Sequence, residues 1–399
     1  MRNSSLVLLL VYLCGCVGEP EVVSGPVTET QEQPRPNLLL IVADDMGYTD
    51  IGAFGGEIDT PNLDSLAARG VKLTNFHAAP TCAPTRAILL SGTDNHTAGL
   101  GSMFGPLMLD GIENATGYER YLHERVAPLP AILADAGYHT YMAGKWHLGM
   151  EQHQWPSARG FERSFSLLPG SDDHFNPLLE HFQENGVALD ALPADYYSTR
   201  VFTDKLIGYI DENTGDGQPF FAYAAFTSPH WPLQAPENFV DRYSGRYDEG
   251  YDAIRARRLE RARALGVIPD IDAPLPEWLG PSWGEFSPEE QAGYARKMEI
   301  YAAMVENLDD NVGRLIDYLE QIGQLDNTVI LFFSDNGAES DEMELNPTFA
   351  ARMRSRGAVN TLETIGHAGS WASYGAGWAQ VSMGPYRRFK GFSTEGGTR

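Results

Sequence analysis

Two apolar runs of this chain end in adjacent oxygen donors. Asn37-Leu38-Leu39-Leu40-Ile41-Val42-Ala43 leads into Asp44-Asp45, and Thr328-Val329-Ile330-Leu331-Phe332-Phe333 leads into Ser334-Asp335-Asn336-Gly337. Neighbouring carboxylates repel each other unless they cap a helix or hold a cation. Together Asp44, Asp45, Asp335 and Asn336 offer only hard oxygen ligands, which suit Ca2+ or Mg2+ and disfavour Zn2+. Ca2+ is favoured over Mg2+, because nothing in the sequence implies a nucleotide. A third candidate is Cys82, in Thr81-Cys82-Ala83-Pro84-Thr85-Arg86. Pro84 fits a first helical turn, which sets Cys82 at a helix N-terminus, where free N–H groups and the dipole favour anions and a reactive thiol. The plain alternative is a small buried hydrophobe. Soft sulfur is an ill match for a hard ion, so Cys82 joins the aspartates only if its chemistry changes first.

Those residues need elements to hold them. Both apolar runs read as strands, the first buried on two faces, and open α/β sheets carry ligands at the carboxyl ends of such strands. Thr60-Pro61-Asn62-Leu63 opens a helix that Gly70 closes, and Val71 to Phe76 reads as a further strand. This β-α-β alternation implies a largely parallel sheet. Ser287-Pro288-Glu289-Glu290 is a capping box, followed by Met298, Tyr301, Val305, Leu308, Val312, Leu315, Leu319 and Ile322 at helical spacing. The stripe is read as packing on the sheet, because its neighbours lack the consistent charge pairing of a coiled coil.

The chain has 399 residues, a formal charge of −25, 43% hydrophobic and 21% charged residues, the profile of a globular protein. So acidic a chain, without a long Lys/Arg run, is a poor partner for nucleic acid. Met1-Arg2-Asn3, the apolar run from Leu6 to Leu13 and the small residues after it read as a secretory signal over residues 1–16, too short to span a bilayer. Leu13-Cys14-Gly15-Cys16 resembles a bacterial lipobox with Cys16 as the candidate lipid anchor; plain cleavage is the alternative. The product is therefore expected to be exported, either periplasmic or a membrane-anchored lipoprotein. Residues 17–36 hold four Pro, four Glu and no aromatic, the composition of a disordered tether. With Cys14 and Cys16 in the leader, Cys82 is the only thiol of the exported body, so no internal disulfide is expected.

At these residues the chain resembles the type I, formylglycine-dependent sulfatases of the alkaline phosphatase superfamily, and among them most the bacterial arylsulfatases. Their Cys-x-Pro-x-Arg hallmark stands here as Cys82-Ala83-Pro84-Thr85-Arg86. The second family stretch stands as Gly137-Tyr138-His139-Thr140-Tyr141-Met142-Ala143-Gly144-Lys145-Trp146-His147-Leu148-Gly149. The likeness continues through Ala158-Arg159-Gly160-Phe161-Glu162-Arg163-Ser164-Phe165, Ser228-Pro229-His230-Trp231-Pro232-Leu233, Ser334-Asp335-Asn336-Gly337 and Lys390, and covers nearly everything from Asn37 onward. Ala83 and Thr85 stand where many relatives have Ser, outside the Cys, Pro and Arg that the modifying enzyme chiefly reads.

The resemblance implies an alkaline phosphatase-like α/β fold over residues 37–399: a large, mostly parallel mixed sheet flanked by helices, then a smaller C-terminal domain with an antiparallel sheet. The chain stops at Arg399 inside Glu395-Gly396-Gly397-Thr398-Arg399, where relatives continue. The catalytic domain is therefore expected to be C-terminally truncated, with that smaller domain largely missing and a sheet edge left open. The resemblance further implies that a formylglycine-generating or sulfatase-maturing enzyme oxidises Cys82 to formylglycine, whose hydrate supplies two hydroxyls. One of these joins Asp44, Asp45, Asp335 and Asn336 as ligands of Ca2+ and attacks the sulfur of a sulfate monoester of the aryl type, with Asp335 accepting its proton. His230 protonates the departing alcohol or phenol, while Lys145 and Lys390 neutralise the sulfuryl oxygens. Arg86 holds the hydrate. His147 takes the proton of the second hydroxyl as sulfate is expelled.

Without the family, Lys145 and His147 would read as a solvated strand face, His230 as a loop histidine, and Arg86 and Lys390 as surface charges. Asp94 and His96 read equally as loop and as substrate-rim residues. His77, His123, His139, His174, His181 and His367 receive no role. Two other functions stay open: a phosphonate monoester or phosphodiester hydrolase of the same superfamily, and an inactive binder of sulfated ligands in which Cys82 stays unmodified.

Overall fold

A computed structural model describes residues 35–103, 115–270 and 274–399. The expected signal sequence, the expected lipobox with Cys16 and the expected tether up to residue 34 lie outside the described residues. Among the described residues seven strands form one sheet: β1 Asn37–Ala43, β2 His139–Lys145, β3 Arg163–Leu167, β4 Phe182–Glu184, β5 Val187–Ala188, β6 Phe220–Ala225 and β7 Thr328–Ser334. Their order is β5-β4-β3-β2-β6-β1-β7. The five strands from β3 to β7 in that order pair in parallel, and β4 and β5 add an antiparallel corner. This is the mostly parallel mixed sheet expected. The helices are α1 Pro61–Arg69, α2 Cys82–Ser91, α3 Leu129–Asp135, α4 Ser198–Glu212, α5 Gly250–Ala264, α6 Pro288–Gln321, α7 Pro347–Ser355, α8 Gly375–Ser382 and α9 Glu395–Thr398.

Alternate residues of a strand face opposite sides of its sheet, and β1 serves two cores in this way. Leu39 and Ile41 join Phe202 and Leu206 of α4 and Met304, Val305 and Leu308 of α6. Leu40 and Val42 join Ala83, Ala87 and Leu90 of α2 on the other face. α6 begins with the expected capping box, in which Ser287 and Glu290 each bond the other's backbone N–H. Its stripe from Met298 to Leu319 is buried, as packing on the sheet requires. Where β2 meets β6 the backbones approach so closely that a Cβ on Gly144 would lie 1.8 Å from the Ala225 carbonyl oxygen, and Gly144 also sits at φ 122°. Only glycine fits both demands.

The expected strand at Val71–Phe76 does not form. The segment makes no ladder with β7, the edge strand it lies beside. Val71 and Leu73 are exposed, and Val71, Leu73 and Phe76 line an apolar cleft with Leu66, Leu331 and Phe333, beside β7 at the outer edge of the sheet.

Candidate active site

The parallel register of β1 on β7 sets Ala43 opposite Ser334, so Asp44 and Asp335 leave the sheet side by side. The Asp335 N–H bonds the Ala43 carbonyl at 3.1 Å. Asp45 then turns through the left-handed region at φ 67°, its N–H 3.4 Å from Asp335 Oδ1. α2 presents its first residue to this pair. Cys82 Sγ lies 3.5 Å from Asp44 Oδ1 and 3.8 Å from Asp45 Oδ1.

Cations close the ring. Lys145, the last residue of β2, bonds both oxygens of Asp44 at 2.8 and 2.7 Å. Lys390 Nζ lies 2.8 Å from Asp45 Oδ2 and 2.8 Å from Glu339 Oε2. Arg86, one turn into α2, sets Nε and Nη2 each 2.8 Å from Asp335 Oδ2 and spends Nη1 on the Lys145 carbonyl at 3.1 Å and the Tyr223 hydroxyl at 3.2 Å. His230, in the loop after β6, places Nε2 3.3 Å from Asp45 Oδ2 and donates from Nδ1 to the Trp231 carbonyl at 2.6 Å. His147 sits just past β2 at φ 55°, its imidazole against Gly170, where a Cβ would come within 2.6 Å of the ring. All of these side chains are buried, so the solvated-face and surface-charge alternatives for Lys145, His147, Arg86 and Lys390 do not hold.

Burial sets the protonation of the site. It pushes Asp44 and Asp45 up from the ordinary carboxylate range, against the pull of Lys145 and Lys390 respectively. Asp335 is buried as well, yet Arg86 outweighs that cost and holds it down as a carboxylate. His147 and His230 are pushed well below the usual imidazole value by burial and then by the neighbouring cations. Cys82 corrects the expectation of a reactive thiol. Burial first, then the Asp335 charge, raises it well above its ordinary value, outweighing Lys145 and Lys390.

The donor set fits a hard divalent cation. Asp44, Asp45, Cys82 and Asp335 each bring a ligand atom within 4.8 Å of the others. Asn336 donates from Nδ2 to Asp45 Oδ1 at 2.6 Å, and its buried Oδ1 has no hydrogen-bond partner among the described residues. A buried amide oxygen without a partner, on a side chain bonded to Asp45, is of the chemistry that binds a hard cation. The sulfur is the one misfit, and an oxygen at position 82 removes it.

The structure thus brings Asp44, Asp45, Cys82, Arg86, Lys145, His147, His230, Asp335, Asn336 and Lys390 into one cluster. Asp94 and His96 stay apart, at the opposite end of α2 from Cys82. They are exposed, and Asp94 Oδ1 accepts the His96 N–H at 2.9 Å as a turn cap. The sequence reading missed Glu339, Tyr223 and His174. His174 Nε2 lies 3.0 Å from the His230 carbonyl and Nδ1 2.6 Å from Ser198 Oγ. Glu339 follows Asp335-Asn336 closely enough to have been found as a neighbour; nothing local marks the other two.

Comparison with known proteins places these residues in a family context. The family model described as Sulfatase matches residues 36–379. An uncharacterized sulfatase of Schizosaccharomyces pombe is 47% identical over 385 residues, spanning 92% of this chain and 69% of its own length. An arylsulfatase of Klebsiella aerogenes is 39% identical over 380 residues, spanning 92% of this chain and 80% of its own. The fold matches the crystal structure of Ps i-CgsB with a TM-score of 0.60 at 24% identity, covering 92% of this chain and 64% of that one.

Proposed function

The chain belongs to the sulfatase family of sulfuric ester hydrolases, and we propose that it cleaves sulfate monoesters of the aryl type with a formylglycine made from Cys82 and a bound Ca2+, ahead of Mg2+. The observation that carries this reading is the sulfur of Cys82 inside a ring of hard oxygen donors, with Asn336 Oδ1 left over for a cation. When present, the cation and the aldehyde hydrate would supply the nucleophilic oxygen and the positive charge that polarises the sulfuryl group.

The other steps fall to the chain's own side chains. Lys145 and Lys390 bind the non-bridging sulfuryl oxygens with ammonium groups that burial keeps dry and therefore strong. Asp335, ionised beside Arg86, is the base that takes a proton at Oδ1 or Oδ2. His230 spends its Nδ1 hydrogen on the Trp231 carbonyl, so Nε2 can give a proton to the departing oxygen only in the imidazolium form, which burial and the neighbouring cations disfavour and an anionic ester facing Nε2 would favour. His147, held neutral by its surroundings, is the base for the second half-reaction. Arg86 orients Asp335 and closes the floor of the site. Oxidation of Cys82 by a maturing enzyme, export, and lipid on Cys16 belong to the same proposal, and the leader sequence alone supports the last two.

The deciding experiment is mass spectrometry of the tryptic peptide from Leu73 to Arg86, taken from active protein made in its own host, alongside assays of sulfate and phosphate release. Formylglycine at position 82 with preferred sulfate release is expected. An intact thiol in fully active protein would overturn the reading, and preferred phosphate release would favour the phosphonate or phosphodiester alternative.

A further inference from the structure

Glu339 takes no part in the chemistry above, yet its carboxylate is built into the site. Oε1 accepts the N–H groups of Ser340 and Asp341 at 2.8 and 2.9 Å, and Oε2 bonds Lys390 Nζ at 2.8 Å. The Lys390 N–H bonds the Ala338 carbonyl at 3.0 Å, so backbone and side chain tie Lys390 to the same turn. Asp45, His230 and Glu339 form a second buried group of ligand atoms within 4.8 Å of one another. The ammonium of Lys390 is bonded to both carboxylates of that group, so this position already holds a cation of the chain's own.

Two consequences follow from this arrangement. Asp45 offers Oδ1 toward Cys82 and Oδ2 to Lys390, so a divalent cation on Asp45 would draw on the same carboxylate charge as Lys390, and Glu339 is the partner that keeps the ammonium in place. The second concerns net charge. With Asp44 and Asp45 ionised to hold a divalent cation, Asp44, Asp45, Asp335 and Glu339 would carry four negative charges against three positive ones on Arg86, Lys145 and Lys390, all of them buried. The side chains alone leave one negative charge, and a divalent cation turns that into one positive charge. A sulfate monoester carries one negative charge and neutralises the loaded site. Without Glu339 the loaded site would carry two positive charges, the complement of a phosphate monoester dianion.

We propose that Glu339 is a positioning residue that holds Lys390 toward the sulfuryl oxygens and sets the charge of the loaded site to favour a monoanionic ester over a dianionic one. The inference rests on the sulfate-ester reading of the site and extends it to the basis of sulfate over phosphate selection.

The test measures binding without turnover, in a Cys82→Ala chain loaded with Ca2+ at pH 8. Calorimetry follows 4-nitrophenyl sulfate and the dianion of 4-nitrophenyl phosphate. Glu339→Gln should raise the phosphate-to-sulfate affinity ratio by about tenfold or more, the scale of one unit charge a few ångströms away in a partly wet site. Lys390→Met should lower the ratio, and the double variant, which has the parent's charge, should restore it. Glu339→Asp keeps the charge and should keep the ratio, while lowering kcat in processed enzyme by drawing the ammonium back. An unmoved ratio in folded Glu339→Gln, checked by thermal melting, overturns the proposal. Should that variant fail to fold, an unmoved ratio in Lys390→Met overturns it equally. Charge-dependent binding in a chain whose processed form releases no sulfate would retire the sulfatase reading and leave Glu339 in its role.

Discussion

His174 holds the carbonyl oxygen of His230 at 3.0 Å from Nε2. A carbonyl can only accept, so Nε2 carries the hydrogen and Nδ1 accepts from Ser198 Oγ at 2.6 Å. Burial keeps this imidazole neutral by pushing its pKa down. The histidine is thus a fixed strut between α4 and the loop that carries His230. His174→Leu should loosen that loop and lower kcat by roughly 10- to 100-fold, the scale of a small misplacement at a reacting centre. The loss should be larger for alkyl than for nitrophenyl sulfates. His174→Gln, which keeps a donor, should recover much of it, and steady-state kinetics on both esters reads the difference.

The acid role proposed for His230 makes its own forecast. His230→Ala should slow alkyl sulfates by about 10²- to 10⁴-fold, the range of general acid catalysis, and nitrophenyl sulfate far less. Equal losses on the two would remove His230 from that role.

Unprocessed Cys82 should be a sluggish thiol. Its burial and its neighbour Asp335 keep it protonated, so iodoacetamide at pH 7.5 should label the folded chain far more slowly than the urea-unfolded chain. Comparable labelling rates would show that the sulfur is open to solvent. Cys82→Ala should bind sulfate esters and turn none over.

Chelation should cost stability as well as rate. A ligand that binds only the folded chain stabilises it by about 2.7 kcal/mol at a hundredfold excess over its Kd. Adding EDTA should therefore lower the melting temperature, and Ca2+ should restore it. Asp335→Asn should spare most of this metal effect while removing the base.

Away from the site, Arg258 is buried against Asp50 and Glu57, with Nε 2.7 Å from Glu57 Oε2. Burial would raise Glu57, but Arg258 outweighs it and holds the carboxyl down to about 2. A depressed carboxyl contributes stability that is complete above its unfolded value and is lost as pH falls toward its folded value. The stability gap between the parent and Glu57→Gln, measured by urea unfolding, should be about 3 kcal/mol near neutrality and close between about pH 5 and pH 2.

Much of the cluster was legible because its chemistry is local. β1 and β7 announce themselves as apolar runs, and the donors that follow them are consecutive in sequence. Pro84 marks the first turn of α2, so Cys82 was placed at its start correctly. The thiol's state was misread, because desolvation and Asp335 act through space and outweigh the helix dipole. Val71–Phe76 reads like a strand, but its apolar side chains line a cleft beside the edge strand β7 instead of pairing with it. Tyr223 and His174 escaped for a related reason: each matters only through a contact with a residue distant in the chain. Asp94 and His96 showed the opposite failing, chemically able residues that the fold sends elsewhere.

Cys82 is 1% exposed, walled in by carboxylates from the ends of β1 and β7. The wall is assembled from residues 44 and 335, which the ribosome delivers at very different times. A maturing enzyme of the kind proposed for Cys82, whose own active site must close around the sulfur, would have no approach to it once these strands have paired. Its opportunity is the interval in which the Cys82 segment has emerged and Asp335 has not yet docked. Slowing the folding of this chain should therefore widen that interval and raise the fraction of molecules converted, whereas a faster-folding variant with an untouched active site would leave more of them as inert thiol.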